Sequence, residues 1–582
     1  MNTFYTDEVH IQILISLLKE HGIRRVIASP GTTNLTFVVS IQKDPYFLVY
    51  SSVDERSAAY LACGMAAESG EPVVLSCTGA TASRNYVPGL TEAYYRKLPV
   101  LALTSTQHVG RVGHNMPQVI DRSAQMKDIV NMSINVQSIH TAEDRWSTVA
   151  SINEALLELT HRGSGPVHIN MVTTYSKIYN VKELPAVRVI RRIGCSDGRP
   201  PITQGRVGIF VGAHLRWSQR LTKAVDRFCA EHNGVVFCDQ TSNYQGKFAV
   251  YPSLVCSQAQ YKSPCRKVDL LIHIGDISGA DMWMDAAAVW RVNPDGKVRD
   301  TFKKLGYVFE MGETDFFEGY VTDPGRDSST NTFYEEWKEE CRQVSARIPE
   351  LPFSNVWIAK NTIDKFPGGS TVYYAILNTL RSWNYFEAPK GVTGYSNTGG
   401  FGIDGGISSL IGASFVDPAR LYFCITGDLA FFYDMNVLGN RHIGNNVRLM
   451  LINNGHGTEF TNYNHPGAMF GEEAESYIAA GGHFGNKSDK LVRHYAEDLG
   501  FEYLTASNKK EFENNIGRFL SGQPRDRSMI FEVFTDGSSE SEALKQMHNL
   551  VSSAKGSTKQ FVRKMLGEQG VRSVKKLMGK GE

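Results

Sequence analysis

Side chains with hard oxygen atoms recur at two spacings in the stretch GDLAFFYDMNVLGNRHIGNNVRLMLINNGHGTEF, Gly427 to Phe460. A Gly427-Asp428 pair is followed by two Asn-Asn pairs, Asn445-Asn446 and Asn453-Asn454, with Asn453 lying 25 positions after Asp428. Magnesium takes oxygen ligands in octahedral geometry and commonly shares them with phosphate oxygens. An Asp carboxylate, an Asn side-chain oxygen and one backbone carbonyl would leave room for a diphosphate and water. Gly-Asp and Asn-Asn also serve as plain strand caps in α/β proteins, so the surrounding elements must decide.

Leu421 to Ile425 reads as a buried strand with Asp428 just past its carboxyl end, and Val447 to Ile452 reads as the next strand. Ligands of a parallel sheet sit beyond the carboxyl ends of its strands. Asn453-Asn454 shares that edge with Asp428, whereas Asn445-Asn446 precedes its strand and reads as a turn. The helix that starts after Gly427 is expected to point its amino end at the diphosphate.

Apolar β-like runs alternate with helical patterns along the whole chain, which predicts α/β architecture with parallel sheets. Buried strands are expected within Arg24 to Gly31, Phe47 to Glu55, Pro72 to Gly79 and Pro99 to Thr106. Others are expected within Val207 to Ala213, Gly234 to Gln240, Val268 to Asp276, Leu421 to Asp428, Val447 to Asn454 and Ser528 to Thr535. Lys182 to Pro201 is charged and proline-containing and reads as a linker. A chain of 582 residues exceeds one core, and three α/β domains are expected over 1–185, 200–345 and 355–545.

The composition, 42% hydrophobic and 21% charged, is that of a soluble globular protein. A net charge of +1 gives no case for a nucleic-acid partner. Nine cysteines without a C-x-x-C pair, several in apolar runs (Cys63, Cys77, Cys238, Cys424), read as free thiols in a reducing compartment. The amino terminus reads as neither signal peptide nor membrane span, so a cytoplasmic location is expected. The segment 551–582 carries eight Lys/Arg and two Glu. It places Phe561, Met565, Val571, Val574 and Met578 at near-helical spacing. Weak contact with an anionic membrane surface is one reading, and packing on the protein is the other.

Wider blocks carry a resemblance. Asp54 to Ala66, Met116 to Gln125, Asn397 to Gly406 and Gly427 to Leu438 resemble, in order, the succinyl-enolpyruvyl-hydroxycyclohexene-carboxylate synthases of menaquinone biosynthesis. Those are thiamine diphosphate-dependent enzymes, related more distantly to acetolactate synthases and 2-oxo acid decarboxylases. The resemblance implies pyrimidine-binding, central and diphosphate-binding domains, with thiamine diphosphate and Mg2+ as cofactors and no FAD. It implies that Asp428, the Asn454 side chain and the His456 carbonyl hold the metal, with Asn453 in support. Gly399, Gly400, Phe401, Ile403, Gly427, Leu429 and Ala430 would border the cofactor, Ile403 as the apolar wedge beneath it. Glu55 matches the catalytic glutamate, whose carboxyl bonds the pyrimidine nitrogen and so promotes loss of the thiazolium C2 proton. Taken without the resemblance, Glu55 reads as an exposed residue of a helix cap paired with Arg56. A homodimer or homotetramer is implied, with Glu55 of one chain serving the cofactor at Asp428 of another.

The chain departs from that family at basic positions. Thr32-Thr33 stands where the family has Ser-Arg, Thr398 where it has Arg, and Trp383 where an Arg aligns with the block Asn378 to Trp383; Ala280-Asp281 stands near a Lys-Arg pair. Arg–carboxylate contacts are not replaced by Thr or Trp. The expectation is therefore a different substrate pair: decarboxylation of a 2-oxo acid and carboligation to an acceptor carbonyl, a sugar-like aldehyde being one candidate. The alternatives are a simple 2-oxo acid decarboxylase and a non-catalytic subunit. Gln118 is the second catalytic candidate, and Thr32, Thr33, His108, His114, Thr398, Glu459 and Phe460 are candidate substrate residues.

Overall fold

A computed structural model describes residues 4–122, 125–202, 205–280, 282–322, 331–482, 487–523 and 526–551. The basic segment considered above lies, from residue 552 onward, outside the described residues, as does Asp281. The chain divides into two compact units, one of residues up to 198 together with 295–310, the other of 199–294 together with the residues from 311 onward.

The first unit is built on a parallel six-stranded sheet in the order Leu48–Ser51, Arg25–Ala28, Val73–Cys77, Val100–Thr106, Val167–Val172, Met132–Val136. Its inner strands are continuous apolar runs because helices cover both faces. Val73–Cys77 and Val100–Thr106 are buried throughout. Leu48–Ser51 is the exception to the sequence expectation: it is an edge strand and mostly exposed. The helix Val9–Glu20 packs its apolar stripe on one face, and the alanine-rich helix Glu55–Ser69 on the other.

The second unit holds two sheets. One runs Ala249–Val250, Gly234–Phe237, Val207–Val211, Lys267–Ile274, Asp285–Val292, all parallel. The other is a parallel six-stranded sheet in the order Thr393–Tyr395, Thr371–Tyr374, Tyr422–Gly427, Val447–Asn453, Met529–Phe534, Glu502–Ala506. Numbered along their own segments, both six-stranded sheets follow the order 2-1-3-4-6-5. In such a sheet the connections leave in opposite directions from strands 1 and 3, opening a crevice at their carboxyl ends where ligands bind.

The stretch read as a linker is partly a strand. Arg191–Gly194 pairs in parallel with Leu305–Glu310. Its partner arrives more than a hundred residues later, so nothing local in the sequence announces it.

Candidate cofactor site

The crevice of the last sheet lies between Thr371–Tyr374 and Tyr422–Gly427. Asp428 stands at its rim, the first residue of the short helix Asp428–Asp434. Asp428 is 5% exposed, and its Oδ2 accepts the Gly455 N–H at 2.8 Å. Burial pushes its carboxyl up to about 6, against the pull of the Leu429 and Gly455 N–H groups. The charge of His456 also favours the ionised form, but burial outweighs it.

The two Asn pairs separate by what they bond. Asn446 lies at the amino edge and donates to the carbonyls of Ser414 and Arg420, as the turn reading expected. Asn453, the last residue of its strand, donates to Glu532 Oε1 at 2.8 Å and so turns into the sheet's own packing. Asn454 is different. Its Nδ2 donates to Thr458 Oγ1 at 3.4 Å, but its Oδ1 is buried without a partner. An orphaned buried acceptor costs ~1–3 kcal/mol unless something positive meets it. A buried Asp whose burial disfavours its charge and an orphaned Asn oxygen beyond neighbouring strands are the donor set a hard divalent cation suits.

His456 follows at the turn. Its carbonyl accepts the Thr458 N–H at 3.0 Å, and its Nδ1 lies 3.0 Å from Glu475 Oε2. Gly537 makes room for the ring: a Cβ there would sit 2.4 Å from Nε2. The segment Asn397 to Gly406 borders the crevice from Thr393–Tyr395. Thr398 is buried, Gly399 and Gly400 are exposed with nothing within 4 Å of a built Cβ, and Phe401 is 41% exposed with a positive φ. Ile403 is half-buried, as is Leu429, and Ala430 is buried.

Beside the crevice, a pocket is lined by Asn378, Arg381, Ser382, Glu459 and Asn462 among others. Arg381 is ion-paired with Glu459. Asn378 bonds Thr458, which links this pocket to Asn454. Phe460 lies half-buried against His465. Trp383 does not face the pocket. It is fully buried against Phe366 and Tyr374 and donates to Asn355 Oδ1. Sequence reasoning missed Arg381 because it sits two residues before the aligned position. It also missed Glu540, another wall of the pocket, whose burial shows only in the fold.

In the first unit, Glu55 opens the helix Glu55–Ser69, with Asp54 as its cap. Arg56 pairs with Asp54 rather than with Glu55, and Glu55 Oε2 accepts from Asn85 Nδ2 at 3.0 Å. Thr33 is buried and bonds Thr78 and the Ser105 carbonyl, whereas Thr32 is exposed. Gln118 is exposed with a positive φ of 62°, a strained conformation for a side-chain-bearing residue. His108 and His114 are exposed, and His108 Nδ1 accepts the Gly110 N–H.

Comparison with known proteins gives this geometry a context. Residues 10–126 match the family described as thiamine pyrophosphate enzyme, N-terminal TPP binding domain. Over nearly its whole length the chain is similar to proteins named 2-succinyl-5-enolpyruvyl-6-hydroxy-3-cyclohexene-1-carboxylate synthase. The one from Bacteroides fragilis is 29% identical over 571 residues, covering 94% of this chain and 99% of that protein. Those from Phocaeicola vulgatus and Porphyromonas gingivalis are 29% and 26% identical over 568 and 581 residues, covering 94% and 95% of this chain and 99% of each relative. This overturns the expectation of a carboligase or decarboxylase acting on another substrate pair. That expectation rested on aligned arginines, and Trp383, a core residue, was never a pocket position. The chain is an α/β protein similar throughout to these synthases, and its residues 10–126 match the N-terminal TPP binding domain of thiamine pyrophosphate enzymes.

Proposed function

We propose that the chain is a thiamine diphosphate- and Mg2+-dependent synthase that forms the product for which its relatives are named. The carrying observation is similarity over 94% of this chain and 99% of the relative. The product's name fixes the chemistry required. A succinyl group reaches the ring from a five-carbon 2-oxo diacid that loses CO2. The ring keeps one double bond, so the acyl carbon adds to one double bond of a cyclohexadiene carboxylate that carries the enolpyruvyl ether and the hydroxyl. The acceptor is then an activated alkene and not a carbonyl.

Bound thiamine diphosphate supplies the electron sink that makes loss of CO2 feasible. In this reading Asp428, Asn454 and the His456 carbonyl hold Mg2+, and Asn453, locked to Glu532, sets the carbonyl edge from which Asn454 projects. Ile403 supports the cofactor from below. Glu55 holds a proton at the pyrimidine nitrogen, steadied by Asn85. Gln118 orients the reacting acid. Arg381, with Asn378 and Ser382, receives a carboxylate of the acidic reactants, for which its pairing with Glu459 keeps it ready. A homo-oligomer in which one copy's Glu55 serves the cofactor of another completes the reading.

The test is product analysis with the two acids, thiamine diphosphate and Mg2+. The expected outcome is one equivalent of the triacid product per CO2; CO2 accompanied only by free aldehyde would refute it.

A further inference from the structure

Five side chains of the second unit, Asn454, Thr458, Asn378, Glu459 and Arg381, form one directed hydrogen-bond chain that runs from the cofactor crevice into the pocket beside it. Asn378 stands in the middle. Leu377, just before it, holds φ 70° and ψ −124°, a conformation that side-chain-bearing residues avoid and that persists only where the surroundings over-determine it. The short helix Asn378–Trp383 starts from that point.

The neighbours of the Asn378 amide settle which way it points. Glu459 Oε2, an acceptor, lies 2.9 Å from one end, and the Glu459 N–H lies 3.0 Å from the other. The nitrogen must therefore face the carboxylate, and the oxygen the N–H. The Asn462 amide, 3.0 Å from that nitrogen, meets it with its own oxygen. The Asn378 oxygen then accepts the hydroxyl of buried Thr458 at 2.6 Å. That hydroxyl, having given its proton to Asn378, acts towards Asn454 only as an acceptor, from Nδ2 at 3.4 Å. The Asn454 nitrogen is thereby held by Thr458, and its oxygen is the end without a partner among the described residues. At the far end, Glu459 Oε1 takes Arg381.

We propose that Thr458 is a positioning residue that couples the cofactor site to the acid pocket; this rests on the reading of Arg381 as the anchor of the acidic reactants. Once its oxygen is coordinated, Asn454 has a more acidic N–H and donates more strongly to Thr458. Each bond of such a chain polarises the next. The Asn378 N–H then draws more charge from Glu459, which loosens the hold of Glu459 on Arg381 and frees it for an arriving carboxylate. The two affinities rise together, by the same factor in either direction.

The test is calorimetry on the full chain in Mg2+, with glutarate, the five-carbon diacid without a 2-oxo group, as a probe that loses no CO2. The Kd of thiamine diphosphate is measured with and without saturating glutarate, and the ratio is the coupling factor. Wild type is expected to give a factor of about 5 or more. Thr458→Val, which keeps the shape without the hydroxyl, is expected to lower the factor at least about twofold, and Thr458→Ser to keep it. A plain loss of cofactor affinity, as from a merely structural role, cancels in the ratio. A factor of one in wild type, or an equal factor in Thr458→Val, overturns the proposal alone. Glutarate binding Arg381→Met as well as wild type overturns the reading of the pocket and this proposal with it. Should Thr458→Val fail to fold, Asn378→Ala, which cuts the chain one bond further on, is read by the same ratio.

Discussion

At the scale of single residues, adjacent asparagines carry opposite duties. Asn454→Ala removes an oxygen that nothing in the chain occupies. It should leave thermal stability nearly unchanged and weaken Mg2+-dependent thiamine diphosphate binding about 10- to 100-fold by calorimetry, the range for groups that support a metal site. Asn453→Ala strips Glu532 of a buried donor and should instead cost ~1–3 kcal/mol of stability by chemical denaturation. Equal effects of the two would contradict the division of labour. Glu540 offers a pH test. Burial pushes its carboxyl up to about 7 from an ordinary 4.5, despite bonds from Thr535 and the Asn355 N–H. A raised carboxyl contributes stability that is full below about 4.5 and lost as pH rises through about 7. Glu540→Gln should therefore raise Tm at pH 8, by up to about 3 kcal/mol in free energy, and give no gain at pH 4. Asn454 was legible in the sequence because strand direction alone separates the two edges of a sheet. Glu540 was not, because it matters through burial by segments distant in sequence.

At the scale of elements, the helix Asn378–Trp383 shows why aligned positions mislead. Asn378, Arg381 and Ser382 recur at i, i+3 and i+4 and share one face, which lines the pocket, while Leu380 and Trp383 fall in the core. A missing arginine at 383 says nothing about charge in the pocket when Arg381 supplies it. Arg381→Met should raise KM for the acidic reactants about 10- to 100-fold, the worth of a hydrogen bond to a charged group, with kcat changed less. Glu459→Gln should retain the cation and bind those acids at least as well as wild type. A KM unchanged in Arg381→Met would remove this residue from the site. The helix Gly537–Met547 gives a steric counterpart. A Cβ at Gly537 meets His456 Nε2 at 2.4 Å, so Gly537→Ala should displace the turn at 456 and lower cofactor affinity in the same calorimetric assay. That turn was visible as residues, but the glycine that admits its ring lies 81 positions away.

At the scale of the whole molecule, two six-stranded sheets share one strand order and so present corresponding crevices. Alternating apolar and helical runs made the α/β class and most inner strands legible, because strands buried on both faces read as unbroken apolar segments. The exposure of the edge strand Leu48–Ser51, expected as a buried one, and the pairing of Arg191–Gly194 with Leu305–Glu310 escaped, since each depends on its neighbours in space. The resemblance assigns Glu55 and Asp428 to different copies, which makes a complementation test available. Glu55→Gln should bind thiamine diphosphate yet lose about 10²- to 10⁴-fold in kcat. Mixing it with inactive Asp428→Ala under conditions of subunit exchange should restore part of the activity; no recovery would contradict a shared site. The central claim, that this chain makes the triacid its relatives are named for, is tested most directly by mass spectrometry of the reaction of the five-carbon 2-oxo diacid with the enolpyruvyl cyclohexadiene carboxylate. The account predicts a product heavier than the acceptor by the diacid less CO2, dependent on both thiamine diphosphate and Mg2+ and abolished in Asp428→Ala. Turnover of the diacid with no mass added to the acceptor would contradict it.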